Sequence, residues 1–358
     1  MKLTANLPWW SLAAPALACM LLAGGHFGLP ALPSWLLAGV LVGCVVAAVH
    51  HAEVVAHRVG EPFGTLLLAV AVTVIEVALI VSMMVSADGR AAALARDTVF
   101  AAVMIILNGI VGLCLLMGGS RFREQTFQVQ GVNAALTTLA AIVVLTLVLP
   151  NYTQTVPGPV YSQSQLAFIA VVSVALYGIF VLVQTVRHRE YFLASDAGLV
   201  HHLDRPSPRM SALSGLLLLV ALGAVVLLAK ALAPALELAV ANAGAPHALV
   251  GVVIALFVLL PEGLAAVHAA RLNRLQTSLN LALGSALATI ALTIPAVAMV
   301  SLFNGWSLEL GIDGKSTVLL VLSLGVAAMS LATGRTTIMQ GAVHLVIFAV
   351  YLFTTIVP

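Results

Sequence analysis

The sequence predicts an all-α membrane protein that crosses the bilayer many times. Of its 358 residues, 62% are hydrophobic and 8% are charged, against about 25% charged in an ordinary soluble domain. The charged residues cluster in short breaks between apolar runs of about 18 to 25 residues, the length that a helix needs to cross the hydrocarbon core. Unbroken apolarity over such lengths favours helices over a β-barrel, whose strands alternate apolar and polar residues.

Eleven apolar runs predict eleven transmembrane helices. We interpret the N-terminal run as a retained helix, because no small-residue signal-peptidase motif follows it. Cys19, Cys44 and Cys114 lie inside apolar runs and indicate buried thiols rather than a disulfide framework. The runs cover residues 9–25, 34–56, 64–86, 98–117, 132–150, 165–186, 211–234, 248–270, 278–302, 316–333 and 338–357.

The basic residues predict the orientation of the chain in the membrane. Eleven lysine and arginine residues fall in the breaks on one side and four fall on the other. Because basic loops stay in the cytoplasm, the N-terminus is expected in the cytoplasm and the C-terminus on the other side of the membrane. The net charge of +2 is too small to indicate a nucleic-acid partner, so membrane lipid is the expected environment.

Two parts of the chain repeat one pattern. The motif Glu-x6-Gly-x-Pro begins at Glu53 and again at Glu237, and each copy leads into an apolar run that carries one glutamate, Glu76 or Glu262. The first run stands apart, and the other ten divide into two sets of five. An odd number of helices per set requires opposite insertion, so the fold is predicted as helix 1 plus two inverted-topology five-helix repeats.

The domain organisation follows from this division. Residues 1–32 form the N-terminal helix, residues 33–186 the first repeat, residues 187–210 a polar cytoplasmic connector and residues 211–358 the second repeat. A separate soluble domain is not expected, since no segment is long enough to bury a core of its own.

The paired glutamates are the main functional candidates. A charged residue at the centre of a membrane helix costs about 2.5 to 3.5 kcal/mol on insertion scales, so Glu76 and Glu262 are expected to be functional. A carboxylate in an apolar setting holds either a proton or a cation. Two of them at matching repeat positions indicate one shared ion site near the midplane, where a hard cation such as Ca²⁺ can displace the protons. The alternative is that each is a protonated helix-packing residue.

Neighbouring oxygens could complete such a site. Pro261 removes a backbone donor just before Glu262, which frees the Phe257 carbonyl inside the membrane. Asn108 is the main polar group of the fourth run. For the amide and the hydroxyls, ordinary interhelical hydrogen bonding is the alternative role. The hydroxyls of the ninth run share one helical face at Ser278, Ser285, Thr289 and Thr293.

Residues 260–286 resemble the second signature repeat of calcium/proton antiporters in the calcium/cation antiporter superfamily. In that pattern an acidic helix residue is followed 23 positions later by the serine of a Gly-Ser pair, as Glu262 is by Ser285. Residues 51–64, which lead into Glu76, resemble the first repeat. Both are most similar to the bacterial ChaA-type branch of sodium/potassium/calcium-proton antiporters, and the resemblance covers nearly the whole chain.

The resemblance implies a secondary antiporter, not an enzyme, that exports Ca²⁺, Na⁺ or K⁺ while protons enter. Glu76 and Glu262 would be loaded alternately with the cation and with protons. The third, fourth, eighth and ninth runs would form the centre, and peripheral helices would rock or slide. No cofactor is expected, and oligomerisation stays open. The neutral ligands of the metal cation would be Thr73, Asn108, Ser285, Thr289 and the Phe257 carbonyl.

The sequence departs from the better-known calcium exchangers, which place an asparagine three residues before each acid. Thr73 and Leu259 occupy these positions, and the first half has Val103 and Met104 near the place of the Gly-Ser pair. Fewer oxygen ligands leave the cation open among Ca²⁺, Na⁺ and K⁺. The rival functions are a gated cation channel lined by the same carboxylates and a metal-dependent hydrolase, which no His-Glu-x-x-His motif supports.

The histidines allow several roles. His50, Glu53 and His57 share one helical face, and Glu61 follows. This set is interpreted as a solvated helix end, with cytoplasmic pH sensing or transition-metal binding as alternatives. For His268, helix-end packing and a proton relay are both open, and His26 and His344 receive no role. Solvation or pH sensing is expected of the connector histidines, His188, His201 and His202.

Overall fold

A computed structural model describes residues 7–26, 33–59, 63–86, 92–193, 206–242, 244, 246 and 248–357. Within these residues the chain forms twelve α-helices, several short π-helical and 3₁₀ segments and one two-stranded ribbon. The predicted all-α architecture is therefore confirmed.

Three of the transmembrane segments contain a π-helical stretch. Ile105–Ile110 joins α4 to α5, Val144–Val148 follows α6, and Val183–Arg187 follows α7. The helices are α1 Trp9–His26, α2 Ser34–Val59, α3 Phe63–Ser86, α4 Leu94–Met104, α5 Val111–Phe122, α6 Val129–Val143, α7 Gln163–Leu182, α8 Pro208–Asn242, α9 Ala248–Arg271, α10 Leu275–Asn304, α11 Gly314–Ser330 and α12 Ile338–Ile356.

Each predicted apolar run falls on helical structure. Among the described residues, seven helical segments are long and apolar enough to cross a membrane, and α9 is an eighth if its two bent parts form one span. The apolar parts of α1, α3 and α11 are shorter, at Trp9–Gly24, Val70–Val85 and Gly314–Ser330. Length and composition thus support seven or eight spans, while the total of eleven stays a prediction.

The helices divide into two compact units, each of which takes helices from both halves of the sequence. The first unit comprises Met1–Asp88 and Gly198–Gly244. In it, α2 packs along α8 and also contacts α1 and α3. Its buried apolar side chains include Cys44, Ala48, Ile80, Met84 and Leu228.

The second unit comprises Gly89–Ala197 and Ala245–Pro358. The long helix α10 is buried along most of its length and packs against α4, α6, α7 and α9. Gly251 allows α9 to approach α4 closely, because a Cβ there would lie 2.8 Å from the backbone nitrogen of Thr98. The ribbon also belongs to this unit, where β1 Gln125–Thr126 pairs antiparallel with β2 Arg335–Thr336.

Candidate functional site

Glu262 lies immediately after a sharp bend in α9. The helix turns by 52° between Ala248–Leu260 and Glu262–Arg271, and bends of this size are typical of a proline, which in this helix is Pro261. Glu262 is 8% exposed, although it carries an acidic side chain within an apolar helix. The bend therefore places a buried carboxyl group beside backbone that departs from regular helical hydrogen bonding.

The hydroxyl face predicted on the ninth apolar run is buried. Helix α10 packs against α9 within the second unit, and Thr289 is 2% exposed. Most residues of α10 are buried, so the burial of these hydroxyls does not distinguish one face of the helix. Whether the hydroxyls bind a cation stays a prediction. The buried residues of the face are Ser278, Ser285, Thr289 and Thr293.

Glu76 occupies the interior of α3 in the first unit. Its side chain is 1% exposed, and that of Thr73, three residues earlier on the same face, is 3% exposed. Burial of a carboxyl group to this degree is rare unless the group is protonated, paired or bound to a cation. Glu76 and Glu262 are thus both buried acids, each within its own unit.

Asn108 lies in the π-helical segment between α4 and α5 and is fully buried. Its Nδ2 donates a hydrogen bond to Ser323 Oγ on α11 at 2.8 Å, and its Oδ1 lies 3.4 Å from His344 Nδ1 on α12. Sequence reasoning named Asn108 but missed Ser323 and His344. The sequence feature that could have indicated His344 was a single histidine inside an apolar run, but no nearby residue indicated that Asn108 would be its partner.

The histidines at the end of α2 have different environments. His51 is buried against α1, whereas His57 is exposed, as expected of a solvated helix end. The His50 ring is partly buried, with its centroid 5.1 Å from that of Trp10. Within the part of the chain that the structure describes, no group of three His, Cys, Asp or Glu side chains could hold a metal ion.

The remaining histidines and cysteines named from the sequence differ in their exposure. His268 is exposed near the end of α9. His188 stacks on Tyr191 with ring centroids 4.9 Å apart. Cys44 and Cys114 are buried as predicted, but Cys19 is exposed. Gly60, Glu61, Pro62, His201 and His202 lie outside the described residues, as does the Glu237 side chain.

An open cavity of about 430 Å³ lies in the second unit, next to the start of α11. Arg96 donates a hydrogen bond to Asp97 Oδ1 at 2.8 Å and another to the Gly311 carbonyl at 3.2 Å. Asp313 caps α11 by accepting a hydrogen bond from the Ser316 amide at 2.7 Å. Burial alone would raise the pKa of Asp313, but this hydrogen bond and the charges of Lys315 and Arg96 outweigh it and lower the pKa.

Comparison with known proteins gives the family. A profile of the sodium/calcium exchanger protein family matches residues 33–186 and 213–357. The putative ionic transporter y4hA of Sinorhizobium fredii is 49% identical over 360 residues, which cover 99% of this chain and 98% of that protein. The sodium-potassium/proton antiporter ChaA of Escherichia coli is 38% identical, over 88% of this chain and 87% of ChaA.

A solved structure shares the fold. That of the H⁺/Ca²⁺ exchanger CAX matches with a TM-score of 0.73 at 17% identity, over 96% of this chain and 88% of the exchanger. Together with the relatives, the fold defines the class of protein as a membrane-spanning ion transporter of the exchanger type, not an enzyme. The chain belongs to the sodium/calcium exchanger protein family, whose profile covers most of its length.

Proposed function

We propose that the chain is a secondary antiporter that exports Ca²⁺, Na⁺ or K⁺ across a bacterial inner membrane in exchange for protons. The observation that carries the proposal is the burial of two glutamates in apolar helices, Glu76 at 1% and Glu262 at 8% exposure. A buried carboxylate needs a compensating charge, and a proton and a metal cation are the two candidates that an exchanger moves. The choice of cations is supported by the names of two similar proteins, the sodium-potassium/proton antiporter ChaA and the H⁺/Ca²⁺ exchanger CAX.

In the proposed cycle the two glutamates bind the cation when they are deprotonated and release it when they are protonated. Two carboxylates balance one divalent ion or two monovalent ions, or one monovalent ion when one carboxyl group keeps its proton, without leaving a buried net charge. Each ion therefore leaves only when protons arrive, and this exclusion couples the two fluxes. Competition for one pair of carboxylates explains antiport without any nucleotide or cofactor.

Neutral oxygens supplement the carboxylates in this proposal. The hydroxyls of Ser285 and Thr289 are buried on the helix that packs against α9. The Phe257 carbonyl lies four residues before Pro261, which has no amide hydrogen to donate to it. Thr73 and Asn108 supply the remaining candidate oxygens. A set made mostly of oxygens suits Ca²⁺, Na⁺ and K⁺ rather than a transition metal.

Alternating access is proposed to follow from two inverted repeats. The separate matches of the family profile to residues 33–186 and residues 213–357 support this division. Inverted repeats place the binding site near the midplane and allow one part of the protein to rock against another. In the proposed orientation the N-terminus is cytoplasmic and the C-terminus is outside, as the distribution of basic residues indicates.

The test uses everted membrane vesicles with an acidic interior. Addition of the transported cation should dissipate the pH gradient, and Glu76→Gln or Glu262→Gln should each abolish the response at normal expression. Glu190→Gln is the matched control, because Glu190 is 65% exposed in its side chain and should not affect exchange. The proposal fails if none of the three cations dissipates the gradient over a range of pH, or if both variants stay fully active.

A gated channel lined by the same carboxylates predicts a different outcome. Cation flux would then continue after a protonophore has collapsed the pH gradient, and it would follow the membrane potential alone. Exchange predicts that an imposed pH gradient drives the cation uphill. Measuring radioactive cation uptake with the potential clamped by K⁺ and valinomycin separates the two for Ca²⁺ and Na⁺.

A further inference from the structure

A chain of buried hydrogen-bonding groups connects three helical segments of the second unit. Asn108, in the π-helical segment, contacts Ser323 on α11 at 2.8 Å and His344 on α12 at 3.4 Å. His344 in turn contacts Ser330, at the end of α11, through Nε2 at 2.9 Å. Asn108, Ser323 and His344 are fully buried. The four side chains therefore form a polar path through an apolar interior.

The donors and acceptors of this path have one consistent order. Ser323 Oγ donates to the Leu319 carbonyl at 2.7 Å, so it accepts the hydrogen bond from Asn108 Nδ2. The Asn108 Oδ1 is then an acceptor and faces a protonated His344 Nδ1. In the neutral ring Nε2 carries no hydrogen, so it accepts from the Ser330 hydroxyl. The Asn108 end of the path thus determines the ring tautomer, and in that tautomer the Ser330 hydroxyl, which also lies 3.3 Å from the Ala327 carbonyl, donates to Nε2.

The backbone around His344 keeps the ring against the π-helical segment. A Cβ at Gly112 would lie 3.0 Å from the His344 Cβ, so the glycine allows α5 and α12 to approach closely there. A π-helical segment disturbs the regular pattern of backbone hydrogen bonds and is frequent at functional sites. His344 thus contacts the side chain of Asn108 within this segment.

We propose that His344 is a positioning residue that fixes the orientation of the Asn108 amide and thereby sets the affinity for the transported cation. This inference rests on the proposed function, in which Asn108 is one of the neutral ligands. Ser323 accepts the hydrogen bond from Nδ2, and Oδ1 uses one lone pair to accept from His344. Oδ1 is therefore the atom that can contact a cation, through its second lone pair. Residues that orient a ligand in this way typically change metal affinity by about 10-fold to 100-fold when they are replaced.

Two substitutions separate positioning from simple packing. In His344→Asn, the side-chain amide can occupy the place of Nδ1 and keep the contact with Asn108. In His344→Gln, the longer side chain can instead reach the place of Nε2 and keep the contact with Ser330. Both variants remove the ring and a similar volume, so a purely structural role would affect them alike.

The experiment measures the cation KM and the maximal rate of cation-dependent proton release in vesicles that contain the full chain. We expect His344→Gln to raise KM about 10-fold with little change in maximal rate, and His344→Asn to restore a KM close to that of the wild type. Combining His344→Gln with Asn108→Ala should add nothing to the effect of Asn108→Ala alone, because both act through the same amide.

An equal KM in the wild type and both His344 variants would overturn the inference, as would rescue by glutamine instead of asparagine. If the His344 variants do not accumulate, Ser323→Ala tests the same amide from its other end and should also raise KM. An unchanged KM in Ser323→Ala would likewise overturn it. Failure of the proposed function is recognised separately, since Glu262→Gln would then retain cation-dependent proton release.

Discussion

His51 on α2 donates a hydrogen bond from Nε2 to the backbone carbonyl of Ser11 on α1, at a distance of 3.1 Å. Its ring is fully buried, and its Nδ1 accepts no hydrogen bond within the described part of the chain. This contact joins the two helices in the first unit, as does a contact of 3.4 Å between Cys44 Sγ and the Ala14 carbonyl. His51 therefore acts as a packing residue with one specific polar contact.

The first prediction concerns the stability of this helix pair. His51→Ala should lower the free energy of unfolding by about 2 to 4 kcal/mol, because it leaves a cavity and an unpaired buried carbonyl. Thermal unfolding in detergent, followed by intrinsic fluorescence, measures the change. His57→Ala is the control, since the exposed His57 is on the same helix, and its unfolding temperature should match the wild type. Equal stability of both variants would contradict the assigned role.

The second prediction uses the close approach of α12 to α5 at Gly341. A Cβ at this position would lie 2.4 Å from the backbone nitrogen of Leu116 and 2.8 Å from its Cα, so backbone would have to move. Gly341→Ala should destabilise the protein by more than about 2 kcal/mol.

The control for this substitution is Gly325→Ala in α11, where an added Cβ meets nothing within 4 Å. That variant should be neutral or more stable by up to about 1 kcal/mol, because alanine has the higher helix propensity. Expression level and melting temperature of the two variants give the comparison. A Gly341→Ala protein as stable as the Gly325→Ala protein would show that α5 and α12 do not pack as closely as described.

The third prediction is a pH dependence at the start of α11. The pKa of Asp313 is lowered in the folded protein, because the hydrogen bond from Ser316 and the charges of Lys315 and Arg96 outweigh the opposing effect of burial. A lowered pKa contributes stability above the unfolded-state pKa of the carboxyl group, and this contribution is lost as pH falls through the folded-state value.

Two variants separate the charge of Asp313 from its capping role. Asp313→Asn keeps an oxygen that can accept from the Ser316 amide. It should lower the free energy of unfolding by less than about 1 kcal/mol at pH 7, and its stability should equal that of the wild type below the folded-state pKa of Asp313. Asp313→Ala removes the cap as well, so at every pH it should lower the free energy of unfolding by about 1 kcal/mol more than Asp313→Asn does. Melting temperatures measured from pH 7 down to about pH 2 test this, and a constant difference between Asp313→Asn and the wild type would refute the charge contribution.

The fourth prediction concerns the buried hydroxyl face of α10. Thr289→Val preserves the shape of the side chain but removes its oxygen, and it should raise the cation KM about 10-fold, since a lost buried hydrogen-bonding or ligand contact costs about 1 to 3 kcal/mol. Thr289→Ser keeps the oxygen and should behave like the wild type. If valine and serine give the same KM in cation-dependent proton release, Thr289 is a packing residue.

The apolar runs predicted the helices well, because the membrane core requires helical structure of each segment separately. Every backbone amide and carbonyl in hydrocarbon must be satisfied within its own helix, so an apolar run of sufficient length is enough to predict one. The π-helical segment Ile105–Ile110 was not predictable, since its sequence is as apolar as that of a regular helix.

The pairings between distant residues were accessible only from the tertiary structure. Asn108 and Ser323 are 215 positions apart, and His344 and Asn108 are 236 apart. Their contact depends on the packing of α5 against α12 and of the π-helical segment against α11, which no local pattern encodes. His51 illustrates the same limit, because its neighbours at the helix end suggested solvent, whereas α1 covers its ring.

The sequence by itself determined that the chain is a helical membrane protein, which family it resembles, and that Glu76 and Glu262 are acidic residues in apolar helices. Each of these depends on the transfer of single residues or single helices into hydrocarbon, and that free energy is a property of composition. The tertiary structure decided which polar groups meet within a unit, including Asn108 with His344 and His51 with Ser11. Such contacts depend on helix packing, whose shape complementarity is shared among many residues far apart in the chain.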